Sequence, residues 1–121
     1  MPIEEAYATR NVDGILVIEF RQSHILDSVT IDRMATRLKE LAESAVEDQF
    51  LLDFGEVAYL SSSALGMLLG LQRRIVQRKG RMKLAGINSE VMEVFRITKL
   101  DTVFDIYKDE AAALEAFRRN L

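Results

Sequence analysis

Cysteine and tryptophan are absent from this chain of 121 residues, and proline and histidine occur once each. Without cysteine there is no disulfide framework and no thiolate for a metal centre. With His24 as the only imidazole, a serine triad would have to join it to Ser62, and no Gly-x-Ser-x-Gly elbow presents that serine. No acid–base pair or metal set is visible, so no enzymatic turnover is expected. A glycine-rich phosphate loop is missing, so neither a nucleotide nor another cofactor is expected. A single proline and no low-complexity stretch argue against linkers and disordered tails. No apolar run is long enough to span a bilayer. Met1-Pro2-Ile3-Glu4-Glu5 lacks the basic start and apolar core of a signal peptide, so a cytoplasmic location is expected. Positive charge is not in excess either. The net charge is -3, which gives no general attraction to nucleic acid.

What is present is an ordinary globular balance, 49% hydrophobic and 29% charged residues, of a length that suits one domain over residues 1–121. Ile3 to Thr9 reads as a weak strand. Asn11-Val12-Asp13-Gly14 is a turn, and Ile15-Leu16-Val17-Ile18, apolar on both faces, reads as a central strand. After a loop from Arg21 to Ser28, Thr30 is the expected N-cap of a helix with Ile31, Met34, Ala35, Leu38, Leu41, Ala42 and Ala45 inward. Phe50–Phe54 reads as a buried strand. A second helix over about Ser63 to Lys79 has Leu65, Leu68, Leu69, Gln72, Ile75 and Val76 as its core stripe, with Met67 and Leu71 off it. Gly80 is the expected left-handed residue after that helix. Its Gly66-Met67-Leu68-Leu69-Gly70 segment has GxxxG spacing, which inside a soluble amphipathic helix implies close packing. Arg73, Arg74, Arg78 and Lys79 read as a solvated helix end. A strand at Met82–Ile87, a helix at Ser89–Ile97 capped by Asn88, a strand at Thr102–Tyr107 and a helix capped by Asp109 complete the chain. That last helix is expected to turn Ala113, Leu114, Phe117 and Leu121 inward. The order β-β-α-β-α-β-α-β-α predicts an α/β sandwich. Its sheet is mixed but mostly parallel, with about five strands and four helices.

The centre of the chain is Tyr59-Leu60-Ser61-Ser62-Ser63-Ala64-Leu65-Gly66. Three hydroxyls stand directly before an apolar helical run. Serine is a preferred N-cap, and the positive end of the helix dipole favours added negative charge there. A phosphate at this place would change the surface by nearly two charges without breaking the helix.

Strand, short apolar link, serine turn and helix together resemble the central motif of STAS domains, the family of bacterial anti-anti-sigma factors. The family form is Asp-Ser-Ser/Thr-Gly-Leu-Gly. Here Ser61 stands in place of the Asp and Ala64 in place of the Gly, and Ser62 falls on the family's phosphoacceptor position. Ser23-His24-Ile25-Leu26-Asp27 is similar to the family segment before the first helix, with Asp27 on a family aspartate near the phosphorylation site. The β-β-α-β-α-β-α-β-α order is also that of the family.

The resemblance implies a non-catalytic STAS domain that works as a partner switch. Unphosphorylated, it would bind an anti-sigma factor that is also a serine kinase; phosphorylation would end binding and a phosphatase would restore it. Ser62 is the expected acceptor, with Ser61 and Ser63 competing. Asp27, Ser61, Ser62, Ser63, Ala64 and Leu65 form the expected partner surface. The other class of function in view is a constitutive binding or scaffold module of the same fold, in a transporter or a stress-sensing assembly.

Overall fold

The computed structural model describes residues 7–21, 24–25 and 28–119, with residues 24–25 and 28–30 described as backbone. The Ile3–Ala6 part of the first expected strand, Asp27 and Leu121 lie outside the described residues. β1 (Tyr7–Val12) and β2 (Ile15–Phe20) form the antiparallel hairpin. Asp13 and Gly14 between them have φ of 53° and 83°, the left-handed pair that Asp-Gly supplies in a two-residue turn. The chain continues through β3 (His24–Ile25), α1 (Ser28–Ser44), β4 (Gln49–Asp53), β5 (Tyr59–Leu60), α2 (Ser62–Gln77), β6 (Arg81–Ala85), α3 (Ser89–Ile97), β7 (Asp105–Tyr107) and α4 (Glu110–Arg119).

Five strands form one sheet in the order β1-β2-β4-β6-β7, with every pair after the hairpin parallel. The expected mixed, mostly parallel α/β sandwich is the observed one. Leu16, Ile18, Phe20, Phe50, Leu52, Phe54, Met82 and Leu84 point to one face, where α1, α2 and α3 complete the larger core. Ile15, Val17, Leu51 and Ala85 point to the other face and meet Ala113 and Phe117 of α4. Strand residues alternate between faces, so a central strand covered on both sides must be apolar throughout. Leu51 and Leu52, adjacent in β4, serve one core each.

The structure corrects several local expectations. α1 starts at Ser28, so Thr30 lies inside the helix rather than at its cap. The expected link Gly55–Leu60 and the loop before α1 are not wholly irregular. β3 and β5 pair in parallel, His24 with Tyr59 and Ile25 with Leu60. Two-residue strands have no periodicity to detect. Met67 and Leu71 are buried and Val76 is 59% exposed, so the inward stripe of α2 is rotated towards α1. Gln72 donates to the Val103 carbonyl at 3.0 Å instead of joining the core. The last strand is only Asp105–Tyr107, because a 3-10 turn at Leu100–Thr102 carries the chain first. That turn lets Phe104 pack edge-on against Phe95, with ring centroids 5.7 Å apart.

The end of α2 shows how close approach and backbone sign differ. Lys79, not Gly80, takes the left-handed conformation (φ 65°). Its N–H bonds the Val76 carbonyl at 2.9 Å, and the Gly80 N–H bonds the Ile75 carbonyl at 2.8 Å. This double closure is a Schellman motif. Glycine is needed at 80 for space, since a Cβ there would lie 2.6 Å from the Asp48 carbonyl oxygen. Arg78 reaches back to the Ala42 and Ala45 carbonyls and the Asp48 carboxylate. It ties the end of α2 to the end of α1, so it is a clamp and not part of a solvated helix end.

Candidate functional site

The serine triplet straddles the step from β5 into α2. Ser61 has extended backbone angles (φ -80°, ψ 166°), and its Oγ accepts from the Ala64 N–H at 3.2 Å. Its carbonyl accepts from the Leu65 N–H at 3.1 Å. Ser61 is therefore the N-cap, and the helix begins at Ser62, one residue before the expected Ser63. Ser62 and Ser63 are exposed, and among the described residues neither hydroxyl has a partner. No acidic residue lies in the first turn of α2. Ala64 and Leu65 point into the main core and hold the helix start down. Five of the six expected site residues are thus one contiguous turn, with Ser62 and Ser63 outermost. Asp27, the sixth, is outside the described residues. The β3–β5 pairing ties the chain two residues before it to the strand that leads into the serines.

One contact that sequence reasoning left out supports this turn. Asn88, expected only as the cap of α3, accepts from the Val91 N–H at 2.8 Å. It also donates to the Val57 and Ala58 carbonyls, both at 3.2 Å. It fixes the link from β4 to β5 against α3. Ala58, Tyr59, Leu60, Glu90, Val91 and Val94 line a cavity of about 90 Å³ beside the serine turn. The signal for Asn88 was its capping pattern; its second role needs the link and α3 to meet, which no local pattern encodes.

A family model for the STAS domain matches residues 6–113. The chain belongs to the STAS domain family. An anti-sigma F factor antagonist of Paenibacillus polymyxa is 28% identical over 101 residues, covering 84% of this chain and 85% of its own. The crystal structure of an anti-sigma factor antagonist from Mycobacterium paratuberculosis superposes with a TM-score of 0.81 at 19% identity, over 98% of this STAS domain and 97% of that chain. The phosphorylated form of the Bacillus cell fate determinant SpoIIAA superposes with a TM-score of 0.67 at 20% identity, over 96% and 100% of the two chains.

At the start of the link to the serines, Asp53 at the end of β4 meets Glu110 at the start of α4. The Asp53 Oδ1 accepts from the Gly55 N–H at 2.8 Å. Burial pushes the Asp53 carboxyl up from its ordinary range; the Gly55 N–H works against that, and the neighbouring Glu110 adds to it. Glu110 moves down, chiefly because Arg10 donates to both of its oxygens at 2.6 Å. Gly86 (φ 75°) passes so close that a Cβ would sit 3.1 Å from both the Asp53 carboxylate and the Gly55 nitrogen. This packing anchors the start of the link that ends at Ser61. Among the described residues no group of three metal-ligating side chains occurs, and no helix is long and apolar enough to cross a membrane.

Proposed function

We propose that this STAS domain is an anti-sigma factor antagonist controlled by phosphorylation of Ser62. It binds an anti-sigma factor kinase through the surface around the serine turn and catalyses nothing itself. The kinase transfers the γ-phosphoryl group of ATP to the Ser62 hydroxyl, and the complex separates. A phosphatase then restores the binding form. The observation that carries this reading is the division of labour between neighbouring serines. Ser61 is engaged as the cap, which leaves Ser62 exposed and, among the described residues, unpartnered on a first turn that holds no carboxylate. A phosphate there meets the positive end of the helix and orphan N–H groups, so the fold tolerates it. In a partner interface the same dianion would be desolvated and would repel nearby carboxylates. Asp27 is the candidate for such a carboxylate on this chain. The 20%-identical SpoIIAA structure in its phosphorylated form, together with the name of the Paenibacillus relative, supports the reading.

The test uses the purified protein, the anti-sigma factor kinase encoded in the same genome, and ATP. Phosphopeptide mass spectrometry should place one phosphate on Ser62. Ser62→Ala should bind the kinase like wild type and accept no phosphate. Ser62→Asp should weaken binding by about 1–3 kcal/mol through charge and desolvation. Equal, tight binding by both variants would sink the switch and leave a constitutive module.

A further inference from the structure

GxxxG spacing in α2 raises the expectation of close packing, and the structure overturns it. A Cβ built at Gly66 or at Gly70 meets no atom within 4 Å. Both glycines instead open onto a groove between α1 and α2 of about 230 Å³. Ala35, Leu38, Met67 and Leu71 form its floor, and Lys39 and Arg74 its rim. A shallower cleft lined by Gly70, Arg73, Arg74 and Gln77 continues it along α2. From Gly66 to Gln77 the strip runs for about 16 Å, the length of three helical turns. Glycine in a helix interior is less favourable than alanine by about 1 kcal/mol, and among the described residues nothing requires it at either position. A second backbone approaching closely would require it.

The charge on the strip points to the kind of partner. The chain as a whole is acidic, at -3, yet the groove is edged by Lys39, Arg73 and Arg74. Glu43 neutralises Arg74 at 3.1 Å. Among the described residues, no carboxylate pairs with Lys39 or Arg73. We infer that the groove between α1 and α2 is a docking site for an amphipathic helix of the partner protein, small-residue face inward and acidic residues along its edges. The inference rests on the reading of the chain as an anti-sigma factor antagonist. The groove starts at Gly66, one turn after Ser62, so a helix seated in it belongs to the same bound partner. It adds a contact that the serine itself does not touch. Phosphate at Ser62 then releases one end of an interface whose other end is apolar.

The experiment measures affinity for the same anti-sigma factor kinase at two salt concentrations, with sedimentation velocity of the domain alone. Gly70→Leu fills the groove and should raise Kd at least tenfold. Gly70→Ala reports on folding, and its Tm should equal or exceed that of wild type. Lys39→Glu/Arg73→Glu changes only exposed side chains, so it tests the site even if Gly70→Leu lowers Tm. It should raise Kd about fivefold or more and flatten the salt dependence. Wild-type affinity in both Gly70→Leu and the charge reversal, with Ser62→Asp still weakened, overturns the groove alone. A wild-type protein that binds no kinase overturns both readings. A dimer of the domain that Gly70→Leu abolishes would make a second copy the occupant and would also overturn the proposal.

Discussion

α2 follows the link that carries the chain into the serines and α3 is bonded to that link through Asn88, yet their first turns differ. α3 starts with Asn88, which makes three hydrogen bonds, and has Glu90 in its first turn. Its dipole already faces a carboxylate. α2 starts with Ser61, which makes a single capping bond, and its first turn has no acid. One helix start is closed, both sterically and electrostatically. The other has no carboxylate facing its positive end in the first turn. The difference teaches what the phosphate site proposed at Ser62 would need besides a hydroxyl: a neighbouring serine that does the capping, and a first turn without an acid.

The largest expected effect comes from opening the closed start. Asn88→Ala removes the α3 cap and leaves two link carbonyls without their donor. Urea denaturation should show a loss of about 1–3 kcal/mol. A loss below that of Ser61→Ala would mean the link does not depend on α3. Ser61→Ala itself removes a single cap and should lower stability by about 0.5–2 kcal/mol. The same measurement on Ser62→Ala should stay within about 0.5 kcal/mol of wild type, as for an exposed side chain that has no partner among the described residues. A cap-sized loss at Ser62 would reverse the assigned roles of the two serines.

A finer contrast is one of sign. Ser62→Asp places a carboxylate on the open start and should stabilise the free domain by about 0.3–1 kcal/mol at low salt, the gain shrinking as salt is added. A second acid in the first turn of α3, Ser89→Asp, should gain less, because Glu90 is already there. Equal gains would show that the two starts are electrostatically alike.

The smallest expected effect concerns two carboxylates, Asp53 at the end of β4 and Glu110 at the start of α4. Glu110 is held below its ordinary range by Arg10, so its contribution is present above the unfolded value of about 4.3 and fades as pH falls through the folded one. Asp53 is held above its ordinary range by burial, so its contribution is full only below about 3.9 and is lost as pH rises through the folded value. Asp53→Asn keeps an oxygen for the Gly55 N–H and removes the charge. Chemical denaturation should find it slightly more stable than wild type at pH 7, with the difference closing as pH falls through the raised Asp53 value and closed below about 3.9. A constant difference across that range would show that Asp53 does not titrate as its surroundings dictate.

Much of this architecture was legible before folding. The all-apolar run at Ile15–Ile18 and the buried run at Phe50–Phe54 could only be central strands, because alternation puts their side chains on both faces. Asp13-Gly14 demanded a left-handed turn. The hydroxyls before Ala64 signalled a helix start, since serine is a preferred cap for its orphan N–H groups. Local chemistry could not choose among three adjacent serines, because each can cap. The choice fell to Ser61 when the buried Ala64 and Leu65 set the rotation of α2 against the sheet. The same rotation sank Met67 and Leu71 and exposed Val76. Gly80 looked like a left-handed residue and proved to be a place where Asp48 passes too close for a side chain. Gly66 and Gly70 looked like packing and proved to be an opening. Composition and period determine which elements form and which face is apolar, because those depend on neighbours along the chain. Which serine is left free, and which glycines face empty space, depends on atoms that meet only when helices settle on the sheet, and only the tertiary structure decided it.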